Sequence, residues 1–275
     1  MKKLLVFFCV FALAGGFAAA QDLGLSVGLE LGVENVTKAN DGDMVPYVSP
    51  MVIYENSLFN GILDIYTELD YTFQLTDIDD KEITQDLYFN IGLGFNLSLG
   101  KASTLTFLVE NENELAVFPD AGYEQFTDRL TGLVKPGIRF TQDLADIGGI
   151  FAQVDVPVAY FPWNDDPAVG LEASLGWDSV SGLGFMAKGL MALLPKDDLD
   201  FLGVEIVISF ENNAFYAELE MDIPKEINLD GLTFIPEIEY TFGKLTLYAY
   251  CEIDGIGIKD SDIGISPALG VKFNF

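Results

Sequence analysis

From Leu23 to Glu34 the chain alternates without a break, Leu23, Leu25, Val27, Leu29, Leu31 and Val33 against Gly24, Ser26, Gly28, Glu30, Gly32 and Glu34. Period-two alternation sends successive side chains to opposite faces of a β-strand, so this segment is apolar on one face and polar on the other. The pattern returns with Leu87, Phe89, Ile91, Leu93, Phe95 and Leu97 against Tyr88, Asn90, Gly92, Gly94, Asn96 and Ser98. It returns again with Phe215, Ala217, Leu219 and Met221 against Tyr216, Glu218, Glu220 and Asp222. Fourteen such segments are expected, near 22–34, 45–55, 61–74, 86–99, 103–117, 127–141, 148–160, 168–178, 182–194, 201–211, 213–223, 232–242, 244–254 and 264–275. The region 45–60 is apolar on both faces, which leaves a count of twelve as the alternative. Pro50, Pro136, Pro157, Pro236 and Pro267 fall inside expected strands, where each removes a ladder donor and puts the register in question.

The connections alternate as well. Long acidic stretches at 35–44, 75–85, 118–126, 161–167, 195–200, 224–231 and 255–263 take turns with mostly shorter links such as Asn56-Ser57, Gly100-Lys101-Ala102, Asn212-Asn213 and Gly243-Lys244. Antiparallel strands joined this way, with no apolar run of helix-spanning length after residue 20, make an all-β, transmembrane, up-and-down barrel the expected fold. Fourteen strands at about 4.8 Å spacing and a tilt near 40° give a backbone diameter of roughly 28 Å. A secreted β-sandwich or jelly roll also alternates, and is the competing fold; there the apolar faces would meet in a core.

Residues 1–20 read as a leader: Met1-Lys2-Lys3, an apolar run from Leu4 to Phe17, then Ala18-Ala19-Ala20. That order is the secretory signal pattern, with residues 21–275 as one barrel domain. The 14 basic and 43 acidic residues give a net charge of −29, and loss of Lys2 and Lys3 with the leader would take it to −31. Such acidity coexists with 50% apolar residues only if charge and apolar groups are sorted onto opposite faces. It also argues against nucleic acid or anionic lipid as a partner. Only Cys251 follows the leader, so no internal disulfide is expected.

The last segment ends on Val271, Phe273 and Phe275, apolar positions of an alternating strand. A final phenylalanine on an amphipathic strand resembles the C-terminal signal of bacterial outer-membrane β-barrel proteins. The resemblance implies an outer-membrane location, recognition of Phe273 and Phe275 by the barrel assembly machinery, and a last strand closing against the first. In strand number, length and lack of a plug, the chain looks most like monomeric fourteen-stranded porins of the outer membrane protein G type. Tyr160, Phe161 and Trp163 at one rim, with Trp177, Tyr240, Phe242, Phe273 and Phe275 at the other, would serve as interfacial girdles.

If the apolar series faces lipid, the polar series lines the lumen, and it is acidic. The candidate pore-lining residues are Glu30, Glu68, Asp70, Glu110, Glu112, Glu114, Glu172, Glu205, Glu218, Glu220, Glu237, Glu239 and Glu252, a face that excludes lysine along most of its strands. Carboxylates within a narrow wall concentrate cations and repel anions. Arg129, Lys135 and Arg139 share the inward face of the sixth strand, with Glu114 expected near Arg129 and Glu110 diagonal to Lys135. That juxtaposition reads equally as a constriction with a transverse field or as a bracing salt-bridge ladder. Gly24, Gly28 and Gly32 of the first strand are expected to adjoin Gly264, Ser266, Ala268 and Gly270 of the last, leaving a seam with little inward bulk.

Other chemistry is thin. The P-loop-like Gly94 to Ala102 stretch has the wrong spacing and no Ser or Thr at its end. Asp77, Asp79, Asp80 and Glu82 resemble a calcium loop but lack its glycine and distal glutamate, so no cofactor or resident metal is expected. Histidine is absent, and barrel hydrolases resemble one another in using a histidine base. The expected function is therefore not enzymatic: a passive pore for small polar solutes or cations, embedded in outer-membrane lipid. The alternative is a non-conducting barrel whose acidic loops bind a host ligand, a cation or a partner protein.

Overall fold

Each alternating segment becomes a strand paired to its chain neighbour. The computed structural model describes residues 24–34, 45–77, 82–116, 130–161, 169–193, 199–227, 231–258 and 263–275. Residues 1–20, expected to be a leader, lie outside them, as do Arg129 with its expected neighbourhood to Glu114, Trp163, and the carboxylates Asp79 and Asp80. In order the strands are β1 (Leu25–Glu34), β2 (Val45–Leu58), β3 (Leu63–Asp77), β4 (Glu82–Ser98), β5 (Ser103–Ala116), β6 (Leu130–Asp143), β7 (Gly149–Asp155), β8 (Val158–Phe161), β9 (Val169–Asp178), β10 (Leu183–Leu193), β11 (Leu199–Glu211), β12 (Phe215–Pro224), β13 (Leu232–Phe242), β14 (Leu245–Ile256) and β15 (Gly264–Asn274).

Every pairing is antiparallel, and the sheet closes: β1 pairs β15, with Gly28 opposite Lys272 and Gly32 opposite Ala268, while β9 pairs β10. Both β7 and β8 lie between β6 and β9, so they are two pieces of one stave. Fifteen strands thus fill fourteen positions, which decides against twelve. The break falls at Pro157, where Val156 N donates to Pro136 O at 2.9 Å and Gly170 N donates to Pro157 O at 2.7 Å. The other prolines leave the register intact: Pro50 sits opposite Leu29, Pro136 opposite Val109, Pro236 opposite Leu219 and Pro267 opposite Cys251. A proline on a ladder needs only that its missing N–H fall where no bond is made.

The turn expected at Asn56-Ser57 lies further on, because β2 continues through Leu58 and turns over Phe59 to Ile62. The short connections gather at one end, called here the turn end. The loop end receives the longer ones, and the register irregularities at Leu190/Met191 and Leu232/Phe234 are close to it.

Packing separates this molecule from a soluble sandwich. Among the described residues the buried apolar set is only Val27, Met51, Tyr248 and Ala268. Large apolar side chains are instead exposed on the outward series of nearly every strand, among them Leu31, Leu69, Ile91, Phe107, Ile138, Leu175, Phe185, Ile208, Ile238 and Leu269. A continuous apolar exterior around a closed sheet is stable where the surrounding medium is itself apolar. Backbone polar groups are satisfied strand to strand, with no open edge.

Candidate functional site

The inward series is fixed by register. From Glu30 the ladder runs through Ser49 and Thr72 on one side and Gly270, Tyr248 and Glu239 on the other. Because β-pleat alternation is continuous across paired strands, one inward residue determines the inward set of the whole barrel. A chamber of about 640 Å³ rich in carboxylates is lined by residues from β14, β15, β1, β2, β3 and β4, and Glu114 of β5 and Glu237 of β13 reach the same space. Glu30, Glu68, Asp70, Glu114, Glu237 and Glu252 all open onto this chamber, as do Glu34, Asp86 and Asp254 near the loop end. A second space of about 350 Å³ holds Glu110, Lys135, Asp155 and Glu55.

The remaining predicted carboxylates share the inward series by pairing. Glu112 faces Asn90, Glu172 faces Asp155, Glu205 faces Asp222, and Glu218 faces both Ser209 and Glu237. Glu220 faces Val207, and Glu239 faces Tyr216 and Tyr248. Glu110 lies directly opposite Lys135 rather than diagonal to it. Lys135 Nζ donates to Glu112 Oε1 at 3.2 Å and stands 3.9 Å from Glu110 Oε2. Arg139 stacks on Phe151, its Cζ 3.9 Å from the ring centroid.

Lysine is not excluded from the inner wall. Lys188, one residue in sequence from the apolar Gly189–Leu193 stretch of β10, pairs with Glu205 at 2.6 Å, and Lys272 of β15 pairs with Glu239 at 2.5 Å. The inward place of Lys272 follows from the alternation of the last segment, where it shares the polar series with Ser266 and Gly270; β10 alternates weakly, so for Lys188 the signal lies in β11, where Glu205 directly opposite takes the polar place. Carboxylate oxygens of Glu205, Glu220 and Asp222 come within 4.8 Å of one another, so Lys188 is their local counter-charge.

The glycine seam also differs from expectation. Gly264 and Ser266 pair with Asp254 and Glu252 of β14, and the β1 ladder ends at Gly32 opposite Ala268. Nor is the seam empty. A Cβ on Gly32 would lie 2.3 Å from Tyr47 Cζ, one on Gly270 would lie 2.1 Å from Tyr248 Cζ, and one on Gly28 would lie 2.8 Å from Met51 Cγ. Side chains from β2 and β14 therefore lie over the glycines of β1 and β15. This explains why β2 is apolar on both faces: Tyr47, Met51 and Ile53 point inward to cover the glycines and line the chamber, while Val48 and Val52 take the outward positions. Inward tyrosines also donate to neighbouring carboxylates, Tyr66 to Glu68 and Tyr216 to Glu218.

At the turn end the aromatic residues group as the girdle expectation has it. Tyr240 and Phe242 have ring centroids 4.3 Å apart, and Phe273 and Phe275 are 5.0 Å apart. Trp177 Nε1 donates to Ile147 O at 3.1 Å, and Phe275 N donates to Leu25 O at 2.8 Å.

No family model and no curated protein matches the sequence. Solved structures match through the fold. The toluene transporter TodX of P. putida aligns with a TM-score of 0.53 at 11% identity, covering 94% of this chain and 92% of that one. A TodX mutant described as a monoaromatic hydrocarbon channel aligns at 0.51 and 9% identity, covering 91% and 89%. A mutant of the Rh. blastica porin aligns at 0.44 and 8% identity, covering 91% and 99%. The likeness to TodX is one of fold, and here that fold is a large, closed, fourteen-position antiparallel barrel.

Proposed function

We propose that the protein is a bacterial outer-membrane channel through which small polar solutes diffuse passively, with a preference for cations. The observation that carries this reading is the sorting of side chains across one closed sheet, apolar outside and acidic inside, around a chamber that strands as far apart as β5 and β13 line together. Inward carboxylates far outnumber the inward cations among the described residues, Lys135, Arg139, Lys188 and Lys272, and three of these four are held in ion pairs. A wall of that composition raises the local concentration of cations and repels anions. The pore-lining set is the acidic inward series together with Lys135 and Arg139; Phe273 and Phe275 serve assembly by the insertion machinery. The reaction class is transport without chemistry, in keeping with the absence of histidine from the chain.

The test is single-channel recording of the refolded protein in a planar bilayer, with the reversal potential measured across a salt gradient. Discrete open steps and a cation-selective reversal potential are expected. The triple substitution E110Q, E112Q, E114Q should move that potential toward zero. Anion selectivity in the unaltered protein, or a silent bilayer from correctly folded barrel, would refute the proposal.

A further inference from the structure

Three hydrogen bonds converge on one carboxylate at the place where the barrel closes. Glu30 is 9% exposed. Tyr47 and Tyr250 each donate a phenolic hydrogen to its Oε1 at 2.8 Å, and Tyr248 donates to its Oε2 at 2.9 Å. The donors stand on β2 and β14, and Glu30 stands on β1 opposite Gly270 of β15. One carboxylate therefore ties together side chains on both sides of the pairing between the first and last strands.

The rings have room only because of what lies beneath them. Gly32 and Gly270 leave the space that Tyr47 and Tyr248 occupy, so each ring rests against the wall and does not project across the lumen. Glycine permits this position but does not hold a ring in it, since a tyrosine keeps its freedom of rotation about Cα–Cβ and Cβ–Cγ. Apart from Glu30, the acceptor recorded for Tyr248 is Met51 Sδ at 3.7 Å, a weak one. The Tyr47 and Tyr250 hydroxyls also stand 3.1 Å apart, and Lys272 Nζ lies 4.8 Å from the Tyr248 ring centroid; of these restraints the charge-assisted phenol-to-carboxylate bonds are the strongest and the ones all three rings share.

We propose that Glu30 is a positioning residue, a clasp that anchors Tyr47, Tyr248 and Tyr250 over the glycines of the closing strands and thereby sets the bore of the lumen at that level. It acts on solutes through the rings it holds. Its second effect is on stability, because the same bonds span the strand pair with the greatest sequence separation. The part of the proposal that concerns bore rests on the channel reading; the part that concerns closure does not.

Two measurements separate them: the temperature at which the folded, fast-migrating barrel is lost on an unheated gel, and the amplitude and noise of single-channel current. Glu30→Ala should lower the transition by roughly 5 °C or more, and the triple variant Y47F, Y248F, Y250F by a similar amount. Combining the two should cost no more than Glu30→Ala alone, since both remove one unit. Glu30→Gln, which keeps the size and one good acceptor, should recover part of the loss. Open-channel current of Glu30→Ala should become smaller and noisier as the rings leave the wall, while the Tyr→Phe triple variant, which retains the charge of Glu30, should show the same noise. If Glu30→Ala does not fold, Tyr248→Phe alone should give a smaller shift in the same direction. An unchanged transition, or additive losses, would overturn the clasp. Normal thermal behaviour of the whole series with changed current is equally contrary to it. A wild-type protein that never conducts would overturn the channel reading, and the thermal series would still decide the clasp.

Discussion

Replacing Lys188 with Met keeps the length of the side chain and removes the cation that, among the described residues, pairs with Glu205 at 2.6 Å. The three carboxylates Glu205, Glu220 and Asp222 would then face one another with oxygens within 4.8 Å. Two unit charges at that distance repel by about 1 kcal/mol if the lumen screens as water does, and by about 3.5 kcal/mol at an effective dielectric constant near 20. The pair is largely shielded, with side-chain exposures of 21% for Lys188 and 14% for Glu205, so the outcome should fall between those limits. At about 2–4 °C per kcal/mol, the folded barrel should be lost roughly 2–14 °C earlier. The assay is heat-dependent gel migration after refolding in detergent, repeated at about 1 M salt, where the Debye length shrinks to roughly 3 Å and the deficit should narrow. Adding Glu205→Gln to Lys188→Met should restore most of the lost stability. The reasoning fails if Lys188→Met melts with the wild type, or if the added Glu205→Gln makes it worse.

Gly270→Ala would place its Cβ 2.1 Å from Tyr248 Cζ and should sharply reduce refolding yield, whereas in a Tyr248→Ala background the same substitution should cost little further. Gly100→Ala, with nothing within 4 Å, should refold as the wild type does. Leu269 is 60% exposed at the middle of β15, and Leu269→Arg should destabilise the barrel in lipid by about 2–4 kcal/mol in a urea titration. Equal tolerance of arginine there and at inward Thr246 would contradict the assignment of faces. Deletion of Phe275 should lower the amount of barrel inserted in cells while leaving refolding in detergent nearly intact, because its proposed role is in assembly; equal loss in both would assign it to stability.

Strand identity was legible because β-structure leaves a period-two record that needs no partner to be read, as Leu23 to Glu34 and Leu87 to Ser98 show. The same parity assigned the acidic residues to one face before any pairing was known. Even the weak point at Pro157 was visible, although not that it would split one stave into β7 and β8 while Pro50, Pro136, Pro236 and Pro267 kept their places.

What the sequence could not determine was which residues meet across strands, because register depends on turn lengths and on volumes contributed by several segments at once. Lys135 met Glu110 directly rather than diagonally only after β5 and β6 were aligned. The glycines of β1 and β15 looked like an empty seam until rings from β2 and β14 were laid over them, and Glu30 looked like one pore charge among many. By itself, then, the sequence determined an all-β alternating chain and which residues of each strand share a face, since each residue carries its own polarity and parity. Only tertiary structure decided the closure, the ion pairs of Lys188 and Lys272, and the three-tyrosine environment of Glu30, since each depends on side chains brought together from distant strands.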